Sequence, residues 1–338
     1  MTKSVTVELT IGQAIPNAGE SESNWIIAAW EEAQEALQNK PFRVEDPYRA
    51  ELDDYLVTLD ASDIIKRLKE ARDKSKGFAK YLQAAHFDEL ATNGSMKITV
   101  ESNGSPLEKF TLYHAVGVFV QQLVLALNIS MPGACHLQES AYAGSNRKEL
   151  EAPGFDSAMF TNGWLSAFEA DWPSLKPLKF NDVWEWLREC GTSETDTALK
   201  PVNKVLFGLL EVGQQMEPFG ARDILMVSHM LELLMSMDET ENPHLLRDRI
   251  ASVLGAPSAK AGTFTELYRV KNAMIRGEHP VSRPAIVIHD ADEEILRQLE
   301  QHNSPIEQAL AIVLSLLQDL VKQGAKGYRF SEQVNRIH

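Results

Sequence analysis

The sequence predicts a mainly α-helical protein: an up-down helical bundle in the C-terminal half, preceded by an α+β region with a small sheet. Three observations predict it. Over most of the chain apolar residues recur at three- and four-residue intervals, which puts them on one face of a helix. Strict two-residue alternation, the signature of a half-buried strand, is confined to two N-terminal stretches. Beyond residue 200, Gly and Pro interrupt the helical pattern at short intervals, and short connections favour antiparallel neighbours.

Val5, Val7, Leu9 and Ile11 alternate with polar residues and predict a strand. Met96, Ile98 and Val100 do the same before the turn signal Ser102-Asn103-Gly104. Between them, Trp25, Ile26, Ala29, Trp30, Ala33 and Leu37 follow helical spacing, with Ser21 or Ser23 as a cap. From Asp60 to His86, Ile64, Ile65, Leu68 and Ala71 form one apolar face with charges opposite. Phe110 to Leu127 is apolar almost all round, as a buried helix is. Residues 129–178 are rich in Gly, Pro, Ser, Asn and Asp and read as irregular connections anchored by Trp164 and Trp172. Asn181 then caps a short helix carrying Val183, Trp184 and Leu187. Further helices are expected at 201–217, 222–237, 243–255, 264–277 and 305–323, punctuated by Gly220, Asn242-Pro243, the Gly255 to Gly262 loop and Pro280/Pro284. The predicted division is an N-terminal α+β domain over 1–178 and a C-terminal helical domain over 179–338.

Composition narrows the function. The 338 residues are 44% hydrophobic and 24% charged, as in soluble globular proteins of two domains. A net charge of -15 argues against a broad nucleic-acid or anionic-membrane surface. The charge is uneven, however. Within 242–285 the basic residues Arg247, Arg249, Lys260, Arg269, Lys271, Arg276 and Arg283 face only Asp248, Glu266 and Glu278. A confined basic patch on an acidic body fits a confined anionic ligand, and equally a set of solvated helix faces. Cys135 and Cys190 are the only cysteines and lie far apart, so no disulfide framework or Cys-rich zinc site is expected and a reducing cytoplasm is. The longest apolar run, Val116 to Ile129, is too short to span a bilayer and includes Gln121 and Gln122. No metal-binding HExxH, phosphate-binding Gly-rich loop, nucleophile elbow or dinucleotide fingerprint occurs, so no metal and no cofactor is expected. Cys135-His136, His86-Phe87-Asp88, the acidic pairs Asp53-Asp54 and Glu293-Glu294, and Trp184/Trp186 all read more simply as structural or solvated groups.

The stretch with chemical content runs from Leu267 to His279. On a helix, Arg269, Asn272 and Arg276 share a face, with Lys271 to its side. Pro280 disfavours helical geometry at His279, which places an imidazole at a helix C-terminus where the partial negative charge favours its protonated form. Guanidinium, ammonium, amide and imidazole together suit holding a phosphate and moving a proton. The competing reading is that these cations pair with Glu266, Glu278 or other carboxylates.

Residues 203–322 resemble the HEPN superfamily, most closely its Apea-like branch. The matching features are ordered: an apolar helix with Met230, Leu231, Leu233 and Leu234; Thr240-Glu241 followed by Arg247, Arg249 and Ala251; then Leu267-Tyr268-x-x-Lys271-Asn272-x-x-x-Arg276-Gly277, which aligns without a gap on the family's Leu-Tyr-x-x-Arg-polar-x-x-x-His-Gly; and a closing Leu- and Ala-rich helix from Pro305 to Gln323. The resemblance implies a helical bundle that pairs as a homodimer, its motifs forming a composite, metal-independent ribonuclease site, often in bacterial toxins or antiviral effectors. It implies site roles for Lys271, Asn272, Arg276 and His279, with Arg269, Arg247, Arg249 and Arg283 as RNA- or phosphate-binding candidates. Lys271 stands where the family has arginine and Arg276 where it has histidine. Lysine lacks the bidentate fork, and arginine is no base near neutral pH. Two functions are therefore expected: an RNA-binding HEPN-type protein with metal-independent endoribonuclease activity, under an activating or inhibiting partner; or a catalytically inactive HEPN-like dimerisation and interaction module.

Overall fold

The computed structural model describes residues 3–14, 20–45, 54–78, 91–102, 107, 109–137, 142–143, 154–214, 221–237, 243–261, 264–278 and 293–331. The protein is mainly α-helical with one small antiparallel sheet in its N-terminal part. Two compact units interleave along the chain. Unit 1 comprises Met1–Thr161, Lys176–Thr197 and Leu209–Met216; unit 2 comprises Asn162–Leu175, Ala198–Gly208 and Glu217–His338. This departs from the expected break after residue 178, and the departure has a packing cause described below.

Among the described residues unit 1 has five strands: β1 (Lys3–Ala14), β2 (Phe42–Glu45), β3 (Asp54–Asp60), β4 (Ala91–Ser102) and β5 (Tyr142–Ala143), in the order β2-β3-β4-β1-β5. Every pairing is antiparallel, with Thr6 opposite Thr99 and Val57 opposite Val100. The alternation that marks β1 and β4 in the sequence does the physical sorting. Val7, Leu9, Ile11, Phe42, Val44, Tyr55, Val57, Leu59, Met96, Ile98 and Val100 are buried on one face. Thr6 and Thr99 hydrogen-bond on the other, where Ser95 donates to Glu8. Strands β2 and β3 were not expected from the sequence; both alternate, but over only four and seven residues.

Helices α1 (Glu20–Asn39), α2 (Ser62–Phe78) and α3 (Lys109–Ser130) pack against the strands. Helix α3 is buried nearly all round, as its composition predicts. Helix α4 (Ala158–Ala170) follows, where irregular chain was expected; Asp156 Oδ1 accepts the Ala158 amide to start it. Helix α5 (Phe180–Cys190) packs on α1 and α3, which is why unit 1 claims it. Its Phe180 and Trp184 close an aromatic cluster with Phe42 and Phe119, ring centroids 5.1 to 6.1 Å apart in the contacts made by Trp184. Burial of each such ring contributes on the order of 2–3 kcal/mol.

Unit 2 contains α7 (Ala221–Leu234), α8 (Pro243–Leu254), α9 (Phe264–Ile275) and α10 (Glu293–Gln323), after α6 (Pro201–Gly213). Helix α10 packs against α7, α8 and α9, and α9 against α7 and α8. Residues 309–318 are buried on every side, so α10 is the central helix. It starts at Glu293 rather than at Pro305, whose ring removes one backbone donor without ending the helix. Gly163 of α4 lies against it: a Cβ there would stand 3.3 Å from the Ala311 nitrogen and 3.3 Å from the Glu307 carbonyl oxygen. The glycine that made this stretch look irregular is what allows the two backbones to approach. Helices α3 and α10 are long and apolar enough to cross a bilayer, but 61% and 78% of their apolar windows are buried inside the protein.

Candidate functional site

Helix α9 sorts its side chains by the 3.6-residue period. Leu267, Tyr268, Val270 and Lys271 are buried, whereas Arg269, Ile275 and Arg276 are exposed and Asn272 lies between. The expected stripe of Arg269, Asn272 and Arg276 therefore exists. Lys271, expected beside it and able to swing toward it, is on the buried face instead. Two residues along a helix is a turn of about 200° from Arg269, and the far side of α9 packs on α7.

What holds Lys271 there is Glu232 in the last turn of α7. Lys271 Nζ is 2.6 Å from Glu232 Oε1, and Tyr268 OH donates to the same oxygen at 3.0 Å. The ammonium also lies 5.2 Å from the Tyr268 ring centroid. Only 7% of the Lys271 side chain and 22% of the Glu232 side chain are exposed. A cation so placed has little field left for a ligand. Glu232 was not singled out in the sequence, although a lone acid among Met230, Leu231, Leu233 and Leu234 is a signal that it needs a partner.

Arg249 of α8 donates from Nη1 to the Met235 and Ser236 carbonyls, both at 2.8 Å, and so caps the C-terminal end of α7. Its guanidinium stands 4.9 Å from the Phe330 ring centroid. Arg269 pairs with Glu266 one turn earlier on α9 through two hydrogen bonds, one of 2.8 Å. Those bonds hold the Glu266 carboxyl below its ordinary range and raise Arg269 above its own. Arg276 donates to the Asn272 carbonyl at 3.3 Å and lies 3.8 Å from Glu278. Arg247 is exposed. His279, Arg283, the Thr240-Glu241 pair and His86-Phe87-Asp88 lie outside the described residues.

The basic segment thus has two layers. Lys271 and Arg249 serve α7, where cations complement the helix terminus; Arg247, Arg269 and Arg276 face outward. The groove between α1 and α2, about 610 Å³, is lined by residues such as Glu31, Gln34, Glu35, Lys66 and Lys69 and by none of these cations. Helix α9 itself ends at Ile275, ahead of the expected Pro280 stop. Gly277 adopts a left-handed φ of 71°, its amide reaching the Met274 carbonyl and that of Glu278 the Ala273 carbonyl.

The chain matches no family model, no curated protein and no solved structure. The weaker Cys135-His136 pair is structural. Burial pushes the Cys135 thiol far up, and His136 Nδ1 accepts the Ser157 amide at 3.0 Å beside Asp156 at the start of α4.

Proposed function

We propose that the protein is a catalytically inactive HEPN-like interaction module that docks an acidic protein surface, acting in the cytoplasm as a homodimer. The observation that carries this reading is the buried Lys271–Glu232–Tyr268 cluster, which commits the motif's lysine to holding α9 on α7. Arg276, in place of the family's histidine, offers charge and no proton acceptor. The outward set Arg247, Arg269 and Arg276 is suited to steering and fixing an anionic partner. Surface pairs such as Arg269–Glu266 cost little to exchange for a partner's carboxylate.

The ribonuclease reading is tested alongside. Purified protein incubated with mixed RNAs in EDTA is expected to leave them intact. Cleavage that disappears in Lys271→Ala or His279→Ala would restore the enzymatic reading. For docking, the double variant Arg269→Glu/Arg276→Glu is expected to abolish wild-type binding to a labelled oligoglutamate peptide, read by anisotropy. Unchanged binding would move the interface elsewhere.

A further inference from the structure

Helix α4 is apolar on two sides, and packing within the chain covers only one of them. Gly163, Ala167 and Ala170 are buried, and Gly163 lies against the α10 backbone. By the 3.6-residue period Leu165, Phe168 and Glu169 point about 180° away from that seam, with Trp164 at the edge. Burial agrees with the period: Phe168 is 75% exposed, and Trp164 and Leu165 are half-buried. Single exposed apolar side chains are ordinary, but these lie together within little more than one turn and form a stripe.

The charge beside the stripe has one sign. Glu169 and Asp171 are exposed at the C-terminal end of α4, whose last turn holds no basic residue, so they add to the partial negative charge of the helix. Ser258 Oγ donates to the Ala170 carbonyl there and accepts the Lys260 amide at 3.2 Å. Among the described residues, however, no ion pair joins Lys260 to Glu169 or Asp171. Burial, with the Glu169 charge nearby, also holds the Glu307 carboxyl of α10 above its ordinary range, the opposite of what an adjacent cation does.

From this face we infer that α4 docks a basic amphipathic helix of another protein, which covers Leu165 and Phe168 and sets Lys or Arg side chains against Glu169 and Asp171. A helix fits because side-chain ridges three and four residues apart pack into the matching grooves of another helix. The charge selects the occupant. Carboxylates at this end of α4, on a chain of net charge -15, repel anionic lipid and nucleic acid. A second copy meeting the same face about a two-fold axis would bring its own Glu169 and Asp171 with it. The surface shares no residue with the α9 arginines and takes a partner of opposite charge, so the inference stands apart from the docking reading above.

The test uses the full chain and a labelled amphipathic peptide of Leu and Lys, beside a scrambled peptide of the same composition with no apolar face. Wild type should bind the amphipathic peptide more tightly, read by anisotropy. Phe168 is exposed, so Phe168→Ser should melt as wild type does while weakening that binding roughly 30-fold. Glu169→Lys/Asp171→Asn should weaken it about ten-fold and reduce its salt dependence. Arg269→Glu/Arg276→Glu should not weaken it. Equal affinity for the two peptides would assign the binding to the acidic body at large and overturn the inference. So would an affinity that Phe168→Ser leaves unchanged. A wild-type dimer in sedimentation that Phe168→Ser dissolves would give the face to a second copy, and the inference falls then too.

Discussion

Lys271 and Glu232 show how one pair of charges can look like a ligand site and serve as a clamp. The ammonium is almost fully removed from water, and the carboxylate accepts both it and the Tyr268 hydroxyl. Breaking a fully buried pair from one side costs about 3–5 kcal/mol, because the remaining charge has nothing to answer it. Glu232 keeps some exposure, so Glu232→Gln is expected to cost roughly 2–3 kcal/mol in urea unfolding. Lys271→Met removes the charge that is harder to solvate and leaves Glu232 with Tyr268 and water; it should cost less. The double variant should be more stable than Glu232→Gln alone. If Glu232→Gln is instead neutral while Lys271→Met is severe, the lysine is held by something other than this carboxylate. The residue pattern placed Lys271 on a helix beside Arg269, but its partner lies 39 positions away on another helix. That distance is why spacing along α9 alone could not tell a ligand cation from a clamped one.

At the scale of elements, legibility followed length and periodicity. Helices α7, α8 and α9 begin and end within a few residues of their expected bounds, since each carries a full apolar stripe between Gly or Pro stops. Strands β2 and β3 were invisible because short alternating runs beside Arg43, Glu45 and Asp60 give little signal. Helix α4 was missed because its small residues read as loop, whereas Gly163 is what lets it touch α10. That crossing carries its own titratable group. Glu307 accepts a hydrogen bond from Asn162 Nδ2 at 3.1 Å, yet burial, with Glu169 nearby, raises its carboxyl above the usual range. A raised carboxyl favours the protonated folded state. Its contribution is therefore full below the unfolded value near 4.5 and is lost as pH rises through the folded one. Glu307→Gln keeps an acceptor for Asn162 and removes the buried charge. Its melting temperature is expected to exceed wild type at pH 7 and to match it near pH 4. A variant less stable than wild type at pH 7 would mean the carboxylate is favourably paired after all.

For the whole molecule, interleaving decides what can be separated. A cut after residue 178 looks natural in the sequence, where an irregular stretch gives way to helices. In the fold it severs both units. Unit 2 needs Asn162–Leu175: Asn162 bonds Glu307, Gly163 seats α4 on α10, Trp172 Nε1 donates to the Gly255 carbonyl at 3.2 Å, and Ser315 Oγ to the Ser174 carbonyl at 3.4 Å. Unit 1 needs α5, whose Phe180, Val183, Trp184, Trp186 and Leu187 are all buried. A fragment of residues 179–338 thus exposes five large apolar side chains and strips a helix from the side of α10. It is expected to keep far-UV helical signal, to bind a hydrophobic dye and to lose near-UV dichroism, the behaviour of a compact state without fixed packing. The full chain should show fixed tertiary signals and no dye binding. A fragment with a sharp, cooperative melt and no dye binding would show that the helical half is an independent domain, and the contacts from 162–175 would then be dispensable to it.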